Sequence, residues 1–280
     1  MNRREILKPK QNQNERNMTM KNKLWLMAVY STLLAAAASG QNAPAAGTNA
    51  DTADAYVRKG TQLINHQTPG QALKAFEQAS ALQPDNERAA LGQYISLVQL
   101  NRANDGAKVL DKWVAAKADD PRRWLCKAMA EAETDRPGEA LKSFEKLTEL
   151  QPNESGNWVG KGEMLEALKR DAEALKAFDQ AITLNPKHEA AWGDRGSVLN
   201  RLGKYDEAIK SCDKAIELAP KWADPLYSRA CAYAGKGDKT NALADLKKAI
   251  ELQPSLKAEA VKEAGFKNLY SDPDFKKLTE

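Results

Sequence analysis

Histidine and cysteine are scarce: the 280 residues hold two of the first and three of the second. His66 and His188 lie far apart, and neither has Cys, Asp or Glu at metal-ligand spacing, so both read as surface residues. Cys126, Cys212 and Cys231 form an odd set with no CxxC pair, which excludes a zinc site and a disulfide framework. Aromatics are few, at 6%, while charged residues reach 29%, a balance that suits exposed helices. An excess of one charge is also missing. The formal charge is +4, but residues 1–40 contribute seven Lys/Arg against two acids, leaving 35 basic and 36 acidic residues elsewhere. Nucleic acid is therefore a poor candidate partner. No stretch supplies a phosphate loop. Ala234–Thr240 lacks the spacing of G-x4-G-K-[ST] and reads as a turn, and Gly193, Gly196 and Gly203 miss the dinucleotide fingerprint. No acid/base pair or activated nucleophile stands out, so an enzyme, a metal site and a bound cofactor are not expected.

Long apolar runs are absent too. The longest, Leu24 to Ala38, has 15 residues, short of the roughly 20 that span a bilayer. Lys21 and Lys23 precede it, and Ala38-Ser39-Gly40 offers small side chains after it. That order is the layout of a secretory signal peptide. Residues 1–40 are thus expected to be a leader with its apolar core at 24–38, directing the chain out of the cytoplasm. The alternative is an uncleaved leader, with residues 24–38 holding a cell-envelope assembly factor at the membrane. Residues 41–52 are small and polar and read as a flexible linker.

What the chain has in abundance is period. Pro84, Pro152, Pro186, Pro220 and Pro254 stand at multiples of 34 from one another; the tick missing from the series falls at Ala118, and Pro121 follows shortly after. Each proline closes a similar phrase, such as FEQASALQP, FDQAITLNP and CDKAIELAP. Counting back frames six units: 53–86, 87–120, 121–154, 155–188, 189–222 and 223–256. In 189–222, Ala191, Trp192, Gly196 and Leu199 keep a helical period, Gly203 ends that helix with a positive φ, and Tyr205 to Leu218 forms a second helix. Pro220 stops it. Each unit is a helical hairpin that must stack on neighbours to bury its apolar faces.

These residues resemble the tetratricopeptide repeat, whose pattern is W-x2-L-G-x2-Y, then A-x3-F, then P within a unit of about 34 residues. Unit 155–188 matches at Trp158, Gly162, Leu165, Ala174, Phe178, Ala181 and Pro186. Unit 53–86 matches at Tyr56, Gly60, Leu63, Ala72, Phe76, Ala79 and Pro84, and unit 189–222 carries Cys212 in the aromatic slot. The resemblance implies an all-α fold, a right-handed superhelical solenoid of antiparallel helix hairpins. Unit 87–120 departs from it, with Gly106, Trp113 and Ala118 in unexpected places. Local distortion is expected there, with Trp113 filling a widened interface. Residues 257–280 are expected to cap the array: a helix over Leu256 to Ala264, a turn at Asp272-Pro273-Asp274, and Phe266, Leu269, Phe275 and Leu278 docked on the last unit. Trp124, Trp158 and Trp192 recur with the same period and read as packing residues. Cys212 and Cys231 fall in helices that are neighbours in such a fold, which leaves two readings, a buried free pair or a disulfide. Asn153-Glu154-Ser155 matches a glycosylation sequon and reads more simply as a polar turn.

In the resembled family the first helices line a concave face. That implies a partner-binding groove here including Arg88, Leu91, Arg122, Met129, Glu163, Asn200, Arg201 and Tyr227. The expected function is a non-catalytic protein–protein interaction scaffold that holds an extended peptide or a helix. The asparagine clamp by which some cytosolic relatives grip a terminal carboxylate is not present in the aligned stretches GKGEML and GDRGSVL.

Overall fold

The computed structural model describes residues 49–280, and among them every regular element is a helix. The chain divides into two compact units, up to Ala116 and from Lys117. That boundary falls just before Ala118, where the proline series loses its tick.

The first unit contains α1 (Asn49–Asn65), α2 (Pro69–Leu82), α3 (Glu87–Gln99) and α4 (Ala103–Ala115). Helix α1 begins inside the stretch expected to be linker, because Asp51 favours the first turn and Ala53 and Val57 already face the core. The rest of that linker, the leader and its apolar run lie outside the described residues. Phe76 is the centre of this unit. Its ring lies 2.7 Å from where a Cβ on Gly60 would stand, and closer still to the corresponding point on Gly92. The irregular repeat turns out to be an exchange of bulk. Tyr94 occupies the slot that holds Gly60 in the repeat before and Ala128 in the repeat after, and Gly106 makes room opposite, with 3.0 Å from its absent Cβ to the Tyr94 ring. Trp113 is buried and directs its indole N–H toward the Asp85 carbonyl. It fills the interface, as its position suggested.

The second unit contains α5 (Pro121–Glu133), α6 (Pro137–Leu150), α7 (Ser155–Ala167), α8 (Asp171–Leu184), α9 (Glu189–Arg201), α10 (Tyr205–Leu218), α11 (Ala223–Gly235) and α12 (Lys239–Leu252). A short α13 (Leu256–Ala260), a 3-10 helix (Ala264–Leu269) and α14 (Pro273–Thr279) follow. Pro121 is no late stop. It is the first residue of α5, behind the N-cap Asp120, where its missing N–H costs nothing. Trp124, Trp158 and Trp192 donate from the indole to the carbonyls of Ala118, Pro152 and Pro186 in the preceding turns. They staple the turns between repeats, and Ala118 serves this contact as well as proline does.

A second ruler appears in the backbone. Gln67, Asn101, Asp135, Lys169, Gly203 and Gly237 all have positive φ and recur at intervals of 34. The residue after each donates its N–H back to the end of the first helix, as from Thr68 to Leu63 and from Lys204 to Leu199. This closes each hairpin with a helix-end motif that a left-handed residue permits. Ala234–Thr240 is one such turn, with Asp238 capping α12.

The tail departs from its expected outline. The helix from Leu256 ends at Ala260, and Asp272 caps α14 instead of forming an isolated turn. The break lets Phe266 and Leu269 reach the cluster of Ala230, Leu246 and Ile250, which Phe275 also joins. Leu278 is partly buried against the same cluster. Three contacts fasten the tail: Asn268 to the Ala234 carbonyl at 2.6 Å, and Lys239 to Asp272 and Asp274 at 2.6 and 3.2 Å.

Close approach of helices rests on glycine in the second unit as well. A Cβ at Gly160 would fall inside the van der Waals shell of the Phe144 ring. Gly160→Val should therefore lower stability by about 1–3 kcal/mol through overpacking, well above the few tenths gained in helix propensity. A urea midpoint equal to or above that of the parent protein would contradict this packing.

Candidate functional site

The residues expected to line a groove have different fates. Leu91 is buried in the first unit, and Arg88 is half-buried at the start of α3. In the second unit Arg122 is exposed and forks onto Asp120 at 3.1 and 2.9 Å, which fixes the entry to α5. Met129 and Glu163 are half-buried on α5 and α7. Leu125, next on the same face, is among the few exposed large hydrophobic side chains, at 38%.

Further along, the tertiary structure uses the predicted residues internally. Asn200 donates to the Ser228 carbonyl at 2.6 Å, tying α9 to α11. Arg201 bonds Glu166 and Asp171, each at 2.8 Å, so one guanidinium joins α7, α8 and α9. Burial pushes the Glu166 carboxyl above its usual range, Arg201 opposes that shift, and Asp194 adds to it. Hydrogen bonds from Arg201 hold Asp171 below the usual carboxylate range. Tyr227 packs edge-on against Phe266 of the tail, with ring centroids 5.4 Å apart. Asn200, Arg201 and Tyr227 thus also take part in the packing of the array. Arg122, Leu125, Met129, Glu133 and Glu163 all lie on the first helices α5 and α7 of the second unit.

Sequence reasoning passed over Trp222. It stands at the N-cap of α11, and its ring lies over Gly193 of α9, 2.5 Å from where a Cβ would be. Its indole N–H donates to Asp224 at 2.9 Å. The available signal was an aromatic closing one repeat beside a glycine-rich first helix, but only folding pairs the two.

Glu133 has an electrostatic signature of its own. Burial raises its carboxyl to about 7 from an ordinary value of 4.5. The folded protein therefore binds a proton that the unfolded chain releases between those values, so stability should fall as pH rises from about 4.5 to 7. Glu133→Gln should flatten that slope and melt above the parent protein at pH 8. Parallel melting curves for both proteins across this range would refute the assignment.

Other candidates resolve as structural. His188 is not a free surface residue; its Nδ1 lies 2.5 Å from Ser155 Oγ. Ser155 is buried, so the sequon around it forms the start of α7. Cys212 and Cys231 are buried free thiols, and burial pushes Cys212 up to about 12. No group of metal-ligating side chains assembles among the described residues. No described helix is long and apolar enough to cross a membrane.

Comparison with known proteins gives a consistent result. Tetratricopeptide repeat models match residues 127–189, 189–221 and 223–256. Among solved structures, YrrB, described as a TPR protein with an unusual peptide-binding site, is 24% identical over 68% of this chain and 100% of its own, with a TM-score of 0.50. The pilF protein of Pseudomonas aeruginosa is 16% identical over 80% and 99%, with a TM-score of 0.56. MamA 41-end from Desulfovibrio magneticus RS-1 is 19% identical over 73% and 97%, with a TM-score of 0.50. At these identities the likeness shows the fold. No curated protein matches the sequence. Proteins built from this repeat are generally non-catalytic scaffolds for protein–protein interaction.

Proposed function

This chain belongs to the tetratricopeptide-repeat family, and on that premise we propose that it is an exported scaffold binding a partner peptide or helix along the first helices of its repeats. The observation that carries the groove reading is the strip on α5 and α7, where exposed Leu125 and half-buried Met129 stand between Arg122, Glu133 and Glu163. Apolar contacts flanked by charge suit an extended peptide or an amphipathic helix. The peptide-binding site described for YrrB agrees with that reading.

Two substitutions that look natural from sequence make poor tests. Tyr227 is committed to Phe266, and Arg201 to Glu166 and Asp171, so removing either disturbs the array itself. A photo-crosslinking side chain at Met129 in α5 should instead capture the partner, while the same group at exposed Lys176 in α8 should not. Equal capture from both positions would defeat the groove model.

Export is supported by the order of charge, apolar run and small residues over 21–40. Sequencing the N-terminus of protein from its native cell tests it. A start near Ser39–Gln41 is the expected result. An intact leader in the membrane fraction would favour an anchored envelope factor, and an intact leader in the cytosol would overturn export.

A further inference from the structure

Resting on the groove reading, we propose that Glu133, on one face of α5 with Leu125 and Met129, receives an arginine or lysine of the bound partner, while an apolar side chain of that partner packs on Leu125 and Met129. The three residues follow one another at intervals of four, which keeps them within about 80° of each other around the helix axis. Leu125 is exposed, and Met129 and Glu133 are half-buried. An apolar side chain left in solvent and a carboxylate half withdrawn from it therefore share about 12 Å of one helix face. Methionine between them is unbranched and adapts to the shape of what lies on it.

The array supplies its own comparison. Glu166 on α7 is another half-buried acid near the end of a first helix, and Arg201 from the next repeat answers it at 2.8 Å. One period before Arg201 stands Ala167, which has no charge to offer. The basic residues on either side of Glu133 in the sequence are engaged elsewhere, Lys127 with Glu131 and Arg136 with Glu139. Among the described residues no neighbouring charge shifts the Glu133 carboxyl; burial alone raises it. The fold thus answers Glu166 from within and makes no such provision for Glu133. A partly desolvated carboxylate gains more from a counter-charge than one in open water. Arginine and lysine suit the place twice over, since their aliphatic stems can lie along Met129 while the charged head reaches the acid. An acidic or phosphorylated segment would meet repulsion there.

The test uses the full chain at pH 8, where the Glu133 carboxyl is ionised, and a phage-displayed random dodecapeptide library. Retained peptides should share an arginine or lysine close to an apolar residue. Replacing that basic residue with citrulline or norleucine in a synthetic peptide should weaken binding about tenfold, as expected for one charge pair in a partly desolvated place. Glu133→Gln loses only a half-buried charge, so it should stay folded, and it should bind the charged and neutral peptides within about twofold of each other. Glu133→Lys should reverse the preference toward a peptide with glutamate at the same position. Leu125→Ser should weaken the charged and neutral peptides alike. Retained peptides with no basic residue in common, or a charge preference that survives in Glu133→Gln, would overturn the pairing; sensitivity of those peptides to Leu125→Ser would leave the groove reading standing. Peptides that bind Leu125→Ser as tightly as the parent protein, or a library from which nothing is retained, would overturn both.

Discussion

Phe178→Ala should cost about 3–5 kcal/mol, the largest single loss expected from an apolar truncation in the second unit. The side chain is fully buried, and its ring occupies the space that a Cβ on Gly162 would need, 2.5 Å away. It sits in a cluster with Leu165, Ala174, Ala181 and Ala191, drawn from α7, α8 and α9. Losing the ring leaves a cavity bounded by helix backbones, which cannot collapse without shifting a whole repeat. Chemical denaturation measures the loss directly. The tight fit makes a second result expected: adding Gly162→Ala should hurt the parent protein and be tolerated, or help, in the truncated one. Strictly additive effects would mean that ring and glycine are not in contact.

Arg229→Met should cost a comparable 3–5 kcal/mol or so, about the loss seen when a buried pair is broken by removing one partner. Arg229 on α11 makes two bonds to Asp245 on α12, at 2.7 and 2.9 Å, and a third to Asp213 on α10 at 2.5 Å. The Asp245 side chain is only 6% exposed, so removing the guanidinium leaves a buried carboxylate with its main partner gone. Arg195 stands at the equivalent place one repeat earlier and reaches Asp179 and Ser211 in the same manner. There the acid is largely exposed and the buried partner is a neutral hydroxyl. Arg195→Met should therefore cost nearer about 1 kcal/mol, the worth of an ordinary hydrogen bond. The double variant Arg229→Met/Asp245→Leu should recover most of the loss, since apolar packing substitutes well for a buried pair. Equal losses at Arg195 and Arg229 would contradict this account.

The two arginines also show how far the sequence can be read. Arg195 and Arg229, Asp179 and Asp213, Ser211 and Asp245 are all one repeat period apart, so the repeat of the network is visible in the chain. Its direction is not visible, because the partners lie in the second helices of two successive repeats and meet only when those repeats stack. The same division runs through the hairpin turns. Gly203 and Gly237 advertise a left-handed residue, while Gln67, Asn101, Asp135 and Lys169 adopt it because the register requires it. In the irregular repeat, misplaced Gly106 and Trp113 signalled distortion, and only packing showed that Tyr94 had exchanged size with Gly106.

The groove divides in the same way. The sequence by itself determined the repeat period, the hairpins, the stops at the prolines and the apolar residues of the tail. Each of these follows from backbone hydrogen bonding and side-chain period, which act over a few residues. The tertiary structure alone decided how the first-helix residues are paired between repeats. It committed Asn200, Arg201 and Tyr227 to neighbouring repeats and to the tail, and it brought Trp222 onto Gly193. Those outcomes depend on how closely one repeat approaches the next, a distance set by side chains a full repeat apart in the chain that become neighbours only once the array has stacked.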